Sequence, residues 1–84
     1  MIRVLFFAQL RESLGCDELK LDLPPTDEVT VADLLQKLQG RGPHWQSAIA
    51  ETKVLVAVNQ QMVKPGASIA DGDEVAIFPP VTGG

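Results

Sequence analysis

TVADLLQKLQG, Thr30 to Gly40, decides the architecture of this 84-residue chain. Thr30 and Asp33 stand as a capping box, with aspartate at N3 in place of the usual glutamate, and Val29 and Leu34 are placed as a hydrophobic staple. Val31, Leu34, Leu35 and Leu38 then fall at i, i+3, i+4 and i+7, one apolar stripe on a helix that Gly40, Gly42 and Pro43 bring to a stop. A helix with a single apolar stripe needs a partner surface, and the segments on either side of it supply one.

On the N-terminal side, Ile2 to Ala8 is rich in β-branched and aromatic residues and alternates. Ile2, Val4 and Phe6 share one face of a central strand, and Arg3, Leu5 and Phe7 share the other. Leu10 and Leu14 at i and i+4, followed by Gly15, predict a short helix over Gln9 to Leu14. Glu18 to Leu23 alternates with period two before Pro24 and Pro25, a half-buried strand pairing with the first.

On the C-terminal side, His44 to Ala50 has the makings of a second short helix with Trp45 and Ile49 inward. Lys53 to Asn59 is a third strand, and Gln60 to Val63 can turn back as a short fourth. Asp71-Gly72-Asp73 is turn chemistry leading into a last strand, Glu74 to Phe78. The expectation is an α+β domain: a mixed sheet of about five strands, one main helix packed on one face, and short helices beside it. Residues 1–80 form the domain, and residues 81–84 are a flexible tail beyond Pro79-Pro80.

Composition excludes several classes of function. Hydrophobic residues make up 45% of the chain and charged residues 21%, the balance of a folded soluble domain. The apolar runs Val4 to Ala8 and Val54 to Val58 are far below the roughly 20 residues that span a bilayer. The N-terminus shows no signal-peptide pattern, so a cytoplasmic location is expected. A formal net charge of −4 disfavours nucleic acid, whose phosphates call for clustered Lys and Arg.

The chain has one His, one Cys and no Tyr, too few groups for a catalytic constellation. His44 is more simply a capping or surface residue than a base, and Cys16 a small side chain after a helix stop than a reactive thiol. Asp71, Asp73 and Glu74 suggest ordinary turn chemistry rather than a cation loop, which needs more oxygen ligands at defined spacing. No metal site is expected.

The tail is different. Phe78-Pro79-Pro80 ends the last strand rigidly, and Val81-Thr82-Gly83-Gly84 narrows to bare backbone. Extended, these four residues reach roughly 13 Å, and only glycine lets a terminus thread a narrow channel in any backbone conformation. The carboxylate of Gly84 is then the group on which chemistry can act.

Three segments together resemble a known family: Val4-Leu5-Phe6-Phe7-Ala8-Gln9 with Arg11-Glu12; Ala57-Val58-Asn59-Gln60; and Asp71-Gly72-Asp73-Glu74-Val75-Ala76 running into Phe78-Pro79-Pro80-Val81-Thr82-Gly83-Gly84. The chain is similar, over its whole length, to the small, sulfur-carrier subunits of molybdopterin synthase, the MoaD family of ubiquitin-like β-grasp proteins. The resemblance implies that Gly84 is adenylated by an E1-like adenylyltransferase using ATP and converted to a thiocarboxylate. Docked on the large synthase subunit, in a heterotetramer of two small and two large chains, it would pass sulfur to cyclic pyranopterin monophosphate, building the molybdopterin dithiolene. By that resemblance the chain is no enzyme by itself and holds no permanent cofactor.

Docking requires exposed apolar surface. If Val75 and Ile77 face the helix, Ala76 and Phe78 face away, on the side of Phe7, and Met62 can join them. Phe7, Met62 and Phe78, with Arg11, Pro79 and Pro80, make the expected partner interface. Competing readings are a thiamine-pathway sulfur carrier, a ubiquitin-like protein modifier, and a plain interaction domain with an idle tail.

Overall fold

β1 (Ile2–Phe6) is an inner strand of the main sheet, with a paired strand on each side. The computed structural model describes residues 1–22, 29–50 and 54–79. Ile2, Val4 and Phe6 are buried, while Arg3 is exposed and Leu5 half-buried, as the alternation of a strand requires. The chain then enters α1 (Ala8–Leu14), which ends on Gly15 in the left-handed region at φ 63°, its amide donating to the Arg11 carbonyl. Glycine adopts that conformation without a Cβ clash. β2 (Glu18–Leu21) returns antiparallel to β1, from Ile2 opposite Leu21 to Leu5 opposite Glu18. The strand is shorter than the expected Glu18 to Leu23, and residues 23–28 lie outside the described residues.

β3 (Val29–Thr30) leads directly into α2 (Val31–Gln39). The capping box forms as expected: the Asp33 amide donates to the Thr30 hydroxyl, and the Thr30 amide donates to the Asp33 carboxylate. Two amides that a helix start would leave without partners are thereby satisfied. Val31, Leu34 and Leu38 are buried, and Leu35, on the edge of the stripe, is half-buried. The second short helix forms as α3 (Pro43–Ala50). Ile49 is buried, and Trp45 meets Phe6 edge-on at 5.5 Å, with the Arg41 guanidinium 4.8 Å from its ring centre.

β4 (Leu55–Val58) and β5 (Gln61–Val63) form a hairpin whose two turn residues, Asn59 and Gln60, both have positive φ, 51° and 71°. Paired positive φ is what matches a two-residue turn to the twist of its strands. β6 (Ser68–Ile69) pairs with β3 in a separate two-stranded sheet, and β7 (Glu74–Phe78) completes the main sheet. The β3–β6 pair was not expected from sequence, because two residues per strand carry no periodicity.

The main sheet has the order β2-β1-β7-β4-β5. β7 lies between β1, to which it is parallel, and β4, to which it is antiparallel. This is the mixed five-stranded sheet of a ubiquitin-like β-grasp, with α2 and the two shorter helices beside it. Ile2, Val4, Phe6, Val56, Val75 and Ile77 from the sheet meet Leu10, Val31, Leu34, Leu38 and Ile49 from the helices in one core. Burying one such side chain contributes about 1.5–3 kcal/mol.

The acidic turn before β7 closes the fold. The Met1 ammonium pairs with Asp71, and the Gly72 amide, at φ 90°, donates to the Met1 carbonyl. The Asp73 carboxylate accepts from the Ala70 amide at 2.8 Å and from the Asn59 side chain at 3.0 Å. Among the described residues, no three His, Cys, Asp or Glu side chains gather within reach of one metal ion.

Candidate functional site

One face of the main sheet packs on the helices, and the other carries the candidate site. Register assigns the second face row by row. Leu5 lies opposite Ala76, Ala76 opposite Ala57, and Ala57 opposite Met62, so one row crosses four strands. The next row holds Phe78 opposite Leu55, with Phe7 just past β1, its amide donating to the Ile77 carbonyl at 3.2 Å. Phe7 and Phe78 stack with ring centres 4.9 Å apart and planes 14° from parallel.

Phe7 is 38% exposed, Leu55 39% and Met62 60%, large apolar side chains collected on a single face. Phe78 is half-buried beneath its neighbours, and the small Ala57 is covered. Clustered apolar exposure of this kind marks an interaction surface, whereas scattered exposed leucines would not. The expectation that Phe7, Phe78 and Met62 share an outward face therefore holds in the structure.

Leu55 is a member of the patch that sequence reasoning missed. The run Val54-Leu55-Val56-Ala57-Val58 is apolar throughout, so alternation cannot say which residues face out. Pairing of Val56 with Ile77, which is fully buried, settles it.

At the far end of this face the surface becomes charged. Arg3 lies opposite Glu74 and Lys20, its Nε donating to Glu18 at 2.7 Å and its Nη1 lying 3.4 Å from Glu74. The hydrogen bond and charge of Glu18 push the Arg3 guanidinium further above its already high range, so it is cationic at every working pH. The face thus runs from apolar beside β7's C-terminal end to ionic at the opposite end.

Backbone geometry holds Phe7 in its position. Phe7 is extended and caps α1, and Ala8 after it has φ 54°, a left-handed conformation in a residue with a Cβ. That conformation costs an L-residue roughly 1–2 kcal/mol. It turns the chain from strand to helix within one residue, leaving Phe7 on the outer face while Leu10 enters the core.

Arg11 is exposed on α1 rather than on the sheet face, and its carbonyl accepts from the Gly15 and Cys16 amides. Pro79 is half-buried and directly follows Phe78. Pro80, Val81, Thr82, Gly83 and Gly84 lie outside the described residues. Cys16 is half-buried with its thiol donating to the Glu18 carbonyl at 3.3 Å, and His44 bonds through Nε2 to the Ser13 carbonyl, so both side chains tie elements together.

Comparison with known proteins agrees with this geometry. The ThiS family model matches residues 4–84. The molybdopterin synthase sulfur carrier subunit of Escherichia coli (strain K12) is 48% identical, with all of both chains covered. The protein of the same name from Haemophilus influenzae is 42% identical, again with both chains fully covered. Among solved structures, the small archaeal modifier protein 1 of Haloferax volcanii superposes with a TM-score of 0.77 at 28% identity, covering 95% of this chain and 97% of that one. A bare apolar sheet face on a β-grasp core and a match spanning nearly every residue lead to one conclusion: the chain belongs to the ThiS family.

Proposed function

We propose that this protein is the sulfur carrier of a molybdopterin synthase and that its reacting group is the Gly84 carboxylate. The observation that carries the reading is the alignment, end to end and at 48% identity, with a sulfur carrier subunit. That alignment takes in Phe78-Pro79-Pro80-Val81-Thr82-Gly83-Gly84 together with the strand that leads to it. The open face beside Phe78 supports the same reading, because a carrier has to be held by partners while its tail reacts.

The chemistry follows from the carboxylate. With an ordinary pKa of about 3.3–3.7 it is anionic at neutral pH and resists nucleophiles until an oxygen is made a leaving group. An E1-like adenylyltransferase supplies that by transferring AMP from ATP to Gly84 and releasing pyrophosphate. A sulfur nucleophile then displaces AMP and leaves the thiocarboxylate. On the large synthase subunit the thiocarboxylate sulfur passes to cyclic pyranopterin monophosphate. This chain contributes the sulfur-bearing group and the docking face, and the catalytic side chains belong to the partner, in a cytoplasmic complex of two small and two large chains.

Intact-mass measurement of the protein from its native cells tests the proposal. A fraction with one oxygen replaced by sulfur at Gly84 is the expected result. Only free carboxylate, even after incubation with the activating enzyme, ATP and a sulfur donor, would overturn it.

A second reading is favoured by the superposition on an archaeal protein named as a modifier. Activation of Gly84 would be the same, but the acceptor would be a lysine amine. Isopeptide-linked conjugates, found by mass spectrometry where no pterin-site partner co-purifies, would decide for the modifier.

A further inference from the structure

Around the corner from the Phe7–Phe78 stack, on the helix side, a cleft of about 70 Å³ opens between α1 and α3. Gln9, Leu10, Ser13, Ala48 and Pro79 line it. Leu10 and Ala48 belong to or pack against the core and give the cleft an aliphatic floor, while Gln9 and Ser13 are exposed and place an amide and a hydroxyl at its rim. Among the described residues no charged side chain lines the cleft, so a charged group placed there would lose hydration without compensation from them. His44 on α3, bonded to the Ser13 carbonyl on α1, fixes the two walls relative to each other, so the cleft is preformed.

Pro79 connects this cleft to the sheet face. Phe78 belongs to the apolar patch, and the next residue is a wall of the cleft. The two surfaces therefore meet at the point where the chain continues toward Gly84. A partner that takes Val81 to Gly84 into a narrow channel has to surround the chain as it leaves Pro79, and so covers both sides of that corner.

We propose that the partner receiving the tail seats one uncharged aliphatic side chain of an extended segment in the α1–α3 cleft. The backbone of that segment is hydrogen-bonded by the Gln9 amide and the Ser13 hydroxyl. The inference rests on the sulfur-carrier reading, in which this partner is the large synthase subunit. It adds a second, helix-side contact that clamps the chain at Pro79 and helps to fix where the terminal carboxylate lies.

The test uses two variants and one spectroscopic readout. Ala48→Leu fills the cleft from within, and Gln9→Trp covers its mouth from an exposed position that folding does not depend on. Affinity for the large subunit is measured by calorimetry, and the Leu10 and Ala48 methyl signals of labelled wild-type carrier are followed as unlabelled large subunit is added. The expected result is a loss of about tenfold in affinity for each variant, with both methyl signals shifting and showing intermolecular contacts to an aliphatic group. If Ala48→Leu unfolds, Gln9→Trp decides. Wild-type affinity in Gln9→Trp, with the Phe7 and Phe78 signals moving on binding but those of Leu10 and Ala48 unmoved, would overturn the cleft and leave the carrier reading intact. No binding of the wild-type carrier to the large subunit at all would overturn both.

Discussion

Phe7 and Phe78 stack face to face at 4.9 Å although 71 positions separate them, because β1 and β7 are adjacent and parallel and both residues lie at the same end of the sheet. The pair leaves apolar area exposed in the free protein, area that the proposed partner would cover. Replacing both with Ser is expected to lower stability by about 2 kcal/mol, since the rings are only partly buried and their stacking is worth about 0.5–1.5 kcal/mol. Affinity for the large subunit should fall at least about a hundredfold, because each central aromatic of an interface can contribute about 2 kcal/mol or more. Urea unfolding and calorimetric titration on the same preparation check both figures. A variant that unfolds while its residual folded fraction binds normally would place the rings in the core instead.

Ala8 in the left-handed region makes a prediction of opposite sign. Ala8→Gly removes the Cβ clash and adds unfolded-state entropy, which nearly cancel, leaving a net gain of about 0.5 kcal/mol. Ala8→Val adds a β-branched side chain at positive φ and should cost about 1–2 kcal/mol. Chemical denaturation of the two variants beside wild type measures the difference, and a stabilised valine variant would show that the strain at Ala8 is relieved.

Thr30 holds one half of the capping box. Thr30→Ala leaves the Asp33 amide without its partner and frees the Asp33 carboxylate from its reciprocal geometry, so a loss of about 1 kcal/mol is expected. Thr30→Ser keeps the hydroxyl and should lose much less. Thermal unfolding distinguishes them, with equal losses for Ala and Ser counting against the cap.

Gly83→Leu separates folding from transfer. Position 83 lies beyond Pro79, so the substitution should change stability by no more than about 0.5 kcal/mol. In the proposed channel shaped for bare backbone, a leucine would displace the Gly84 carboxylate, and a shift of about 1 Å can cost roughly a hundredfold in rate. Adenylate formation and dithiolene formation are compared for variant and wild type. Transfer at the wild-type rate would mean that the carboxylate reacts in an open site.

Local patterns in the chain determined a great deal. Thr30 and Asp33 name their own helix start, because a capping box is a contact between residues three apart. The leucine stripe of α2, the Gly15 stop, the Asp71–Gly72–Asp73 turn and the alternation of β1 and β7 are equally local. So is the outward parity of Phe7 and Phe78, which follows from strand pleating alone. The family resemblance was legible for the same reason, being carried by contiguous motifs.

Tertiary structure alone decided what depends on pairing between distant segments. Leu55 sits in an unbroken apolar run, and only its register opposite Phe78 turns it outward. The β3–β6 pair joins segments nearly forty residues apart and is too short to leave a period. The cleft at Pro79 exists because α1 and α3 cross beside the end of β7, and no run of neighbouring residues encodes a space between elements. Patterns along the chain record which way a side chain faces, whereas what it faces is set by contacts between segments that only folding brings together.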